Sequence, residues 1–426
     1  MTRVSRILLK LVVALILLGA SAVAYVAILG IDEDPPDDSD MLLTWADIPD
    51  ADNAFTYFNQ AAQQVYWPKD KSESLCRLQS GEAWDDGLAQ EFLQKNRQTL
   101  ALFERGMACE QFQFPDYRQP VPKMMPWMNM GRFLAVRVSA IDRAGRSVEA
   151  LGEACKLVRF AQRMENGRGC LVVYLVASSA RHGAEQQIRM ILRKADLGPA
   201  ELRAFARQLE GCEVDGMGLA DTFRIEYMFM ARIYETGFDG LVSNRRLTPA
   251  SVMNPWRFLW SRFIYKPNQT KRVLRDYLRA EVDNSTKVYS QLCHAPLPFD
   301  PENSDRTSLA WRFVECYVSG NGIGNILLPA VPAAMQPQVR GALRDRVRSR
   351  VTVTLVALKA YRVRTGRLPA TLAELVPDYL DAVPIDDMDG QTLRYSARKK
   401  VLYSVGTDLA DDGGSKDEDI VFEIDF

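Results

Sequence analysis

Six carboxylates fall within twelve residues near the end of this chain: Asp408, Asp411, Asp412, Asp417, Glu418 and Asp419. Gly406, Gly413 and Gly414 lie beside and among them, and apolar runs flank the loop. Like charges at this density need water or a cation between them. Oxygen-only donors on a glycine-bearing loop, with no nearby His or Cys, suit a hard ion, Ca²⁺ before Mg²⁺. The rival reading is a solvated acidic loop with no specific ion.

Other chemistry is thinner. His182 and His294 are the only histidines, which removes most His-rich metal sites and weakens His-based catalysis. Glu104, Glu110, Asp142, Glu149 and Glu153 could supply carboxylates for an envelope hydrolase, but spacings such as Glu149 to Glu153 are common on exposed helix faces. No nucleophile elbow, HExxH or kinase signature occurs. Gly320-Asn-Gly322-Ile-Gly324-Asn325 lacks the third glycine of a dinucleotide loop and no Lys-Ser/Thr follows it. Seven cysteines form no CxxC. Cys76–Cys109 and Cys293–Cys316 are the local pairs that could bridge in an exported protein; buried free thiols are the alternative.

The elements that must position the acidic loop start with a basic N-terminus. Arg3, Arg6 and Lys10 precede an apolar run over 11–30. That length predicts a transmembrane anchor, with the basic tail 1–10 cytoplasmic and the rest outside. A cleaved signal ending near Ala20-Ser21-Ala22 is the rival. Residues 31–40 are acidic and carry Pro35 and Pro36, which reads as a stiff, solvated linker. Residues 41–338 show a helical period throughout, including one helix over 88–107 and an αα-hairpin over 133–164. The rhythm is tetratricopeptide-like, without a fixed period. The aromatics over 223–265 read as core before ligand groove.

The last segment, 339–426, reads as an α+β module. A long helix over 339–364 has its apolar stripe at Val347, Val351, Leu355, Leu358 and Tyr361. Arg340, Arg344, Arg346, Arg348 and Arg350 decorate its early turns and read as a solvated basic face, with contact to anionic lipid or an acidic partner as the alternative. Gly366 ends it. Thr371 and Glu374 form a capping box for a short helix over 372–379. Alternation at 392–396 and 401–405 predicts a hairpin, with a third strand over 419–426.

These residues resemble a known family. The run Tyr361…Gly366-Arg-Leu-Pro369, Leu-Arg-Tyr395 and Tyr403-Ser404-Val405-Gly406-Thr-Asp408…Gly413-Gly414…Asp417-Glu-Asp419-Ile420 is similar to the globular part of the major pseudopilin of type II secretion. The resemblance covers about the last fifth of the chain. It implies a long helix, a small antiparallel sheet and a calcium-holding loop. Asp408 matches the family's first loop aspartate, and Asp417 or Asp419 its later acidic ligand. Ser415 or a backbone carbonyl such as that of Val405 completes the shell. Asp411 and Asp412 are extra acids. Counting Asp412 among them, the candidate set is Val405, Asp408, Asp412, Asp417 and Asp419. The family's Asp-Pro-Trp-Gly turn is replaced here by Asp386-Asp-Met-Asp-Gly390.

At 426 residues, 47% hydrophobic and 25% charged, the chain is globular and long enough for two or three domains. A net charge of −1 argues against nucleic acid as the main partner. The expected class is therefore mainly α: an N-terminal anchor, a helical body and a small α+β cap with a three-stranded antiparallel sheet. The expected function is a single-pass inner-membrane protein, its bulk periplasmic, that binds or supports a protein partner through its body and is stiffened by Ca²⁺. The alternatives are an accessory part of a type II secretion or pilus-like machine, and an envelope enzyme.

Overall fold

The computed structural model describes residues 10, 12–21, 24, 31–80, 83–236, 265–292, 321–328, 330–415 and 419–426. Among them are twelve α-helices and one three-stranded antiparallel sheet, and 64% of the described residues are helical, so the class is mainly α. Two compact units emerge. One comprises Met1–Leu42, Tyr227–Ala280 and His294–Gln336; the other comprises Leu43–Glu226, Glu281–Cys293 and Pro337–Phe426.

The anchor reading does not survive. No helix among the described residues is long and apolar enough to cross a membrane. The single-pass anchor and the membrane as a partner through it are set aside on this finding.

In the second unit, α1 (Ala54–Gln64) starts where the Asn53 side chain accepts from the Phe55 amide at 3.1 Å. α2 (Ser72–Ser80) follows. The single helix expected over 88–107 is two, α3 (Asp86–Lys95) and α4 (Arg97–Ala108). Asn96 makes the break. Its buried Oδ1 accepts the Tyr66 amide at 2.8 Å, and its Nδ2 donates to the Phe92 carbonyl at 3.0 Å. Asn favours such local bonds over helix continuation, and the distant Tyr66 rewards it here.

The expected αα-hairpin is α5 (Met124–Arg143) and α6 (Ser147–Asn166). Gly145 turns it at φ 77°. α7 (Leu171–Lys194) packs back on both, and α8 (Pro199–Glu210) closes on α6. At the junction of α1, α4, α5 and α6 sits an aromatic core. Phe58 meets Phe160 edge-on at 4.9 Å and Phe103 at 5.5 Å, and Trp127 stacks on Phe160 at 6.2 Å. Gly106 is required there, because a Cβ would lie 2.5 Å from the Phe58 ring.

Buried charge pins the same helices. Arg181 of α7 forks onto Glu165 of α6 at 2.8 and 2.7 Å and donates to the Cys212 carbonyl at 2.7 Å. One turn on, Glu185 is 3% exposed. Burial, opposed by Arg181 and Arg189, raises its carboxyl from 4.5 to about 7. The folded chain thus keeps this proton to higher pH than the unfolded chain. Its contribution to stability is full below about 4.5 and is lost as pH rises through about 7. We expect Glu185→Gln to narrow the stability gap between pH 5 and pH 8 by on the order of 3 kcal/mol. Urea unfolding of both proteins at the two pH values measures this, and parallel pH profiles would contradict it.

α9 (Met217–Thr236) and α10 (Pro267–Asn284) follow. In the first unit the stretch 31–40 is largely exposed, as its composition suggests, and it is also held by charge pairs. Asp32 accepts the Asn268 amide at 2.8 Å at the start of α10. Glu33 pairs with Arg272 at 2.6 Å, Asp38 with Lys271 at 2.9 Å, and Asp40 with Arg279. Lys271, Arg275 and Arg279 recur every fourth residue, so a basic ridge faces the acidic strand. α11 (Gly322–Leu327) begins within the glycine-rich run. A Cβ on Gly324 would lie 2.1 Å from the Thr270 Oγ1, so this glycine serves close packing. Of the stretch 223–265, Phe223 and Tyr227 are core and Phe229 is half-exposed. Trp256, Phe258, Trp260 and Phe263 lie outside the described residues.

α12 (Ala330–Thr365) is longer than expected and contains Pro337. Every residue from 351 to 360 is buried, a helix covered on all sides rather than along one stripe. Lys359 is accommodated because its Nζ donates to the carbonyls of Leu192 and Ala195, the latter at 2.7 Å, at the C-terminus of α7. A cation belongs at that end of a helix. Gly366 leaves the helix at φ 77°.

Candidate functional site

The sheet presents the acidic loop. β1 (Arg394–Ser396), β2 (Val401–Ser404) and β3 (Ile420–Glu423) are antiparallel in the order β1-β2-β3. Tyr403 pairs with Arg394 on one side and Val421 on the other. The loop therefore leaves the central strand and returns as an edge strand. The helix expected over 372–379 is only a 3₁₀ turn, Leu372–Leu375, although Thr371 and Glu374 form the capping box.

The loop turns on positive-φ residues at Gly406, Leu409, Gly413 and Gly414. Asp408 is exposed, and its Oδ1 accepts the Ala410 amide at 3.3 Å. Asp411 accepts the Gly413 amide and the Tyr403 hydroxyl, each at 3.0 Å. Burial, then Asp411, pushes the Tyr403 phenol up to about 12. Asp412 is exposed. Asp417 lies outside the described residues, as does Glu418. Lys399 donates to the Gly413 carbonyl at 2.6 Å.

Asp419 differs from the other acids of the loop. It is 6% exposed. Its Oδ2 accepts the amides of Gly414 and Ser415 at 2.8 and 3.0 Å. Its Oδ1 is buried and has no hydrogen-bond partner among the described residues. An unmatched buried carboxylate oxygen is costly. Among the described residues no three His, Cys, Asp or Glu side chains gather around one point. An ion in this loop would thus draw on main-chain and hydroxyl oxygens beside Asp419.

Val405 is held from the other side. Asp386 is fully buried. Its Oδ2 accepts the Val405 amide at 3.0 Å and Arg394 Nη1 at 3.1 Å. Its Oδ1 accepts the Ser404 hydroxyl at 2.7 Å and the Met388 amide at 2.9 Å. Arg394 also bonds Asp389, whose carboxyl it holds below the usual range, and its Nε lies 3.7 Å from Asp411. Beneath, Arg346 of α12 donates to Asp387 at 2.9 Å and to the carbonyls of Ser285 and Lys287 at 3.2 and 3.1 Å. Arg350 reaches Asp387 at 3.0 Å.

Two arginines of the supposed solvated face are therefore counter-ions for a buried turn; Arg340 and Arg344 are exposed. The sequence signal was the acid density of 386–389 closed by Gly390 at φ 80°. Sequence reading noted this run as a replaced turn and missed that it fastens the loop to the long helix.

The molecule is a mainly helical protein with a small three-stranded antiparallel sheet at its C-terminus. Comparisons with family models, with curated proteins and with solved structures return no match.

Proposed function

We propose that this chain is a binding or structural protein whose pseudopilin-like C-terminal module takes one Ca²⁺ in the loop 405–419. The observation that carries this is the buried Asp419 Oδ1, without a partner among the described residues, at the end of an acidic loop. A hard cation there would satisfy that oxygen. Asp408 and Asp417 would add charge, and the Val405 carbonyl or Ser415 would add neutral oxygens. Arg394 and Lys399 already offset part of the loop's charge, so the site suits one divalent ion. The helical body supplies surface for a protein partner.

Thermal unfolding of the full chain with Ca²⁺, with Mg²⁺ and with a chelator tests the reading. Binding to the folded state alone gives RT ln(1 + [L]/Kd), roughly 3 kcal/mol at a hundredfold excess over Kd. We expect a Ca²⁺-selective rise in Tm that Asp419→Asn abolishes and Asp408→Ala weakens. No shift with either ion would return the loop to a solvated acidic turn.

A further inference from the structure

Cys76 and Cys109, a local pair in the sequence, are both free thiols, and Cys293 and Cys316 lie outside the described residues. The unmatched chemistry lies elsewhere. Between α7, α12 and the edge strand β3 is a cavity of about 260 Å³. Leu192 of α7, Leu355 of α12, and Val421 and Phe422 of β3 give it apolar walls. Leu192 and Leu355 are buried, so the core fixes the floor. The exposed lining residues mark the mouth. There Arg193 Nε pairs with Asp425 at 2.7 Å, and each neutralises the other. Glu423 is exposed beside them.

Arg189 is the polar group inside. Its side chain is 16% exposed. Its Nη1 donates to the Thr352 hydroxyl at 2.7 Å, and its guanidinium carbon stands 5.8 Å from the centre of the Phe422 ring. Its ion-pair contact, to Glu185, is 3.9 Å, too long for a hydrogen bond. Burial raises the Glu185 carboxyl to about 7, so it carries only part of a charge at neutral pH. Arg193 and Arg348 act on Arg189 as like charges. Among the described residues, Nε and Nη2 of Arg189 have no hydrogen-bond partner. These two nitrogens share one edge of the guanidinium, the fork that takes a carboxylate through two parallel bonds.

We propose that this cavity binds a small amphipathic monocarboxylate, its head on the Nε–Nη2 edge of Arg189 and its hydrocarbon body against Leu192, Leu355 and Phe422. The site uses no residue of the acidic loop. Its volume sets the size of the ligand. At about 30 Å³ for each water-sized group, the cavity holds roughly nine. A straight-chain fatty acid of about seven or eight carbons meets that limit. An inorganic anion would leave the apolar walls uncovered, and an alcohol would leave the guanidinium unmatched.

Isothermal titration calorimetry of the full chain with butanoate, hexanoate, octanoate and 1-octanol tests this. A chelator is present throughout, so the result does not depend on an ion in the loop. Affinity should rise about three- to fourfold per methylene from butanoate to octanoate. 1-Octanol should bind at least about tenfold more weakly than octanoate. Arg189→Lys keeps the charge but loses the fork, and should weaken octanoate at least about tenfold, with folding checked by circular dichroism. Phe422→Ala leaves the arginine in place and should flatten the chain-length dependence while sparing butanoate. If Arg189→Lys does not fold, the octanol comparison and Phe422→Ala still decide. Equal affinity for octanoate and octanol would overturn the proposal, as would octanoate binding to folded Arg189→Lys as tightly as to the wild type. So would the absence of binding heat at millimolar octanoate.

Discussion

Arg181→Ala is expected to lower the unfolding free energy by about 3–5 kcal/mol, the usual cost of leaving a buried charge without its partner. Arg181 is 1% exposed and Glu165 5%. The fork between them satisfies both carboxylate oxygens, and the third bond ties the Cys212 turn to α7. Truncating the arginine strands Glu165 in the interior and frees that carbonyl. Removing both charges should cost less than removing one. Urea titration of Arg181→Ala, Glu165→Gln and an Arg181→Met/Glu165→Leu double variant checks this. A loss below about 1 kcal/mol for Arg181→Ala would mean that water enters and solvates Glu165. The double variant should recover part of the loss, because well-packed apolar residues often replace a buried pair without penalty.

Asp386→Ala is the second large effect. One buried carboxylate accepts from Ser404, Val405, Met388 and Arg394. Its loss leaves two amides and a hydroxyl unmatched in the interior and Arg394 short of a partner. We expect about 3–5 kcal/mol of destabilisation, and less for Asp386→Asn, which keeps the shape and two of the acceptor sites. The local signature matters more than the total. Hydrogen exchange at the Val405 amide should accelerate far more than exchange in α7. Uniform acceleration across the protein would show that Asp386 supports the whole fold rather than the root of the loop. Because Val405 opens that loop, the variant should also blunt any Ca²⁺-dependent rise in Tm.

The helices were legible where the pattern is local. The Thr371–Glu374 capping box and the Gly366 stop depend on neighbours within one turn, and each stands as its residues imply. The three strands and their pairing followed from alternation and short connections. What failed was decided at a distance. Asn96 breaks a helix because Tyr66, thirty residues earlier, offers a bond. The acidic stretch 31–40 gives no sign of its partners until the basic ridge of α10, more than 230 residues later, pairs with it.

Composition and periodicity thus determined the class, the C-terminal sheet and the crowding of acids in one loop. Which charges are paired was left to the tertiary structure. Arg346 and Arg350 look like any exposed arginines on a helix until Asp387 folds beneath them. Asp386 and Asp419 look like two more surface acids until the fold removes them from water. Coulomb and hydrogen-bond energies become large only in that low-dielectric interior, and burial is a property of chain segments far apart in sequence.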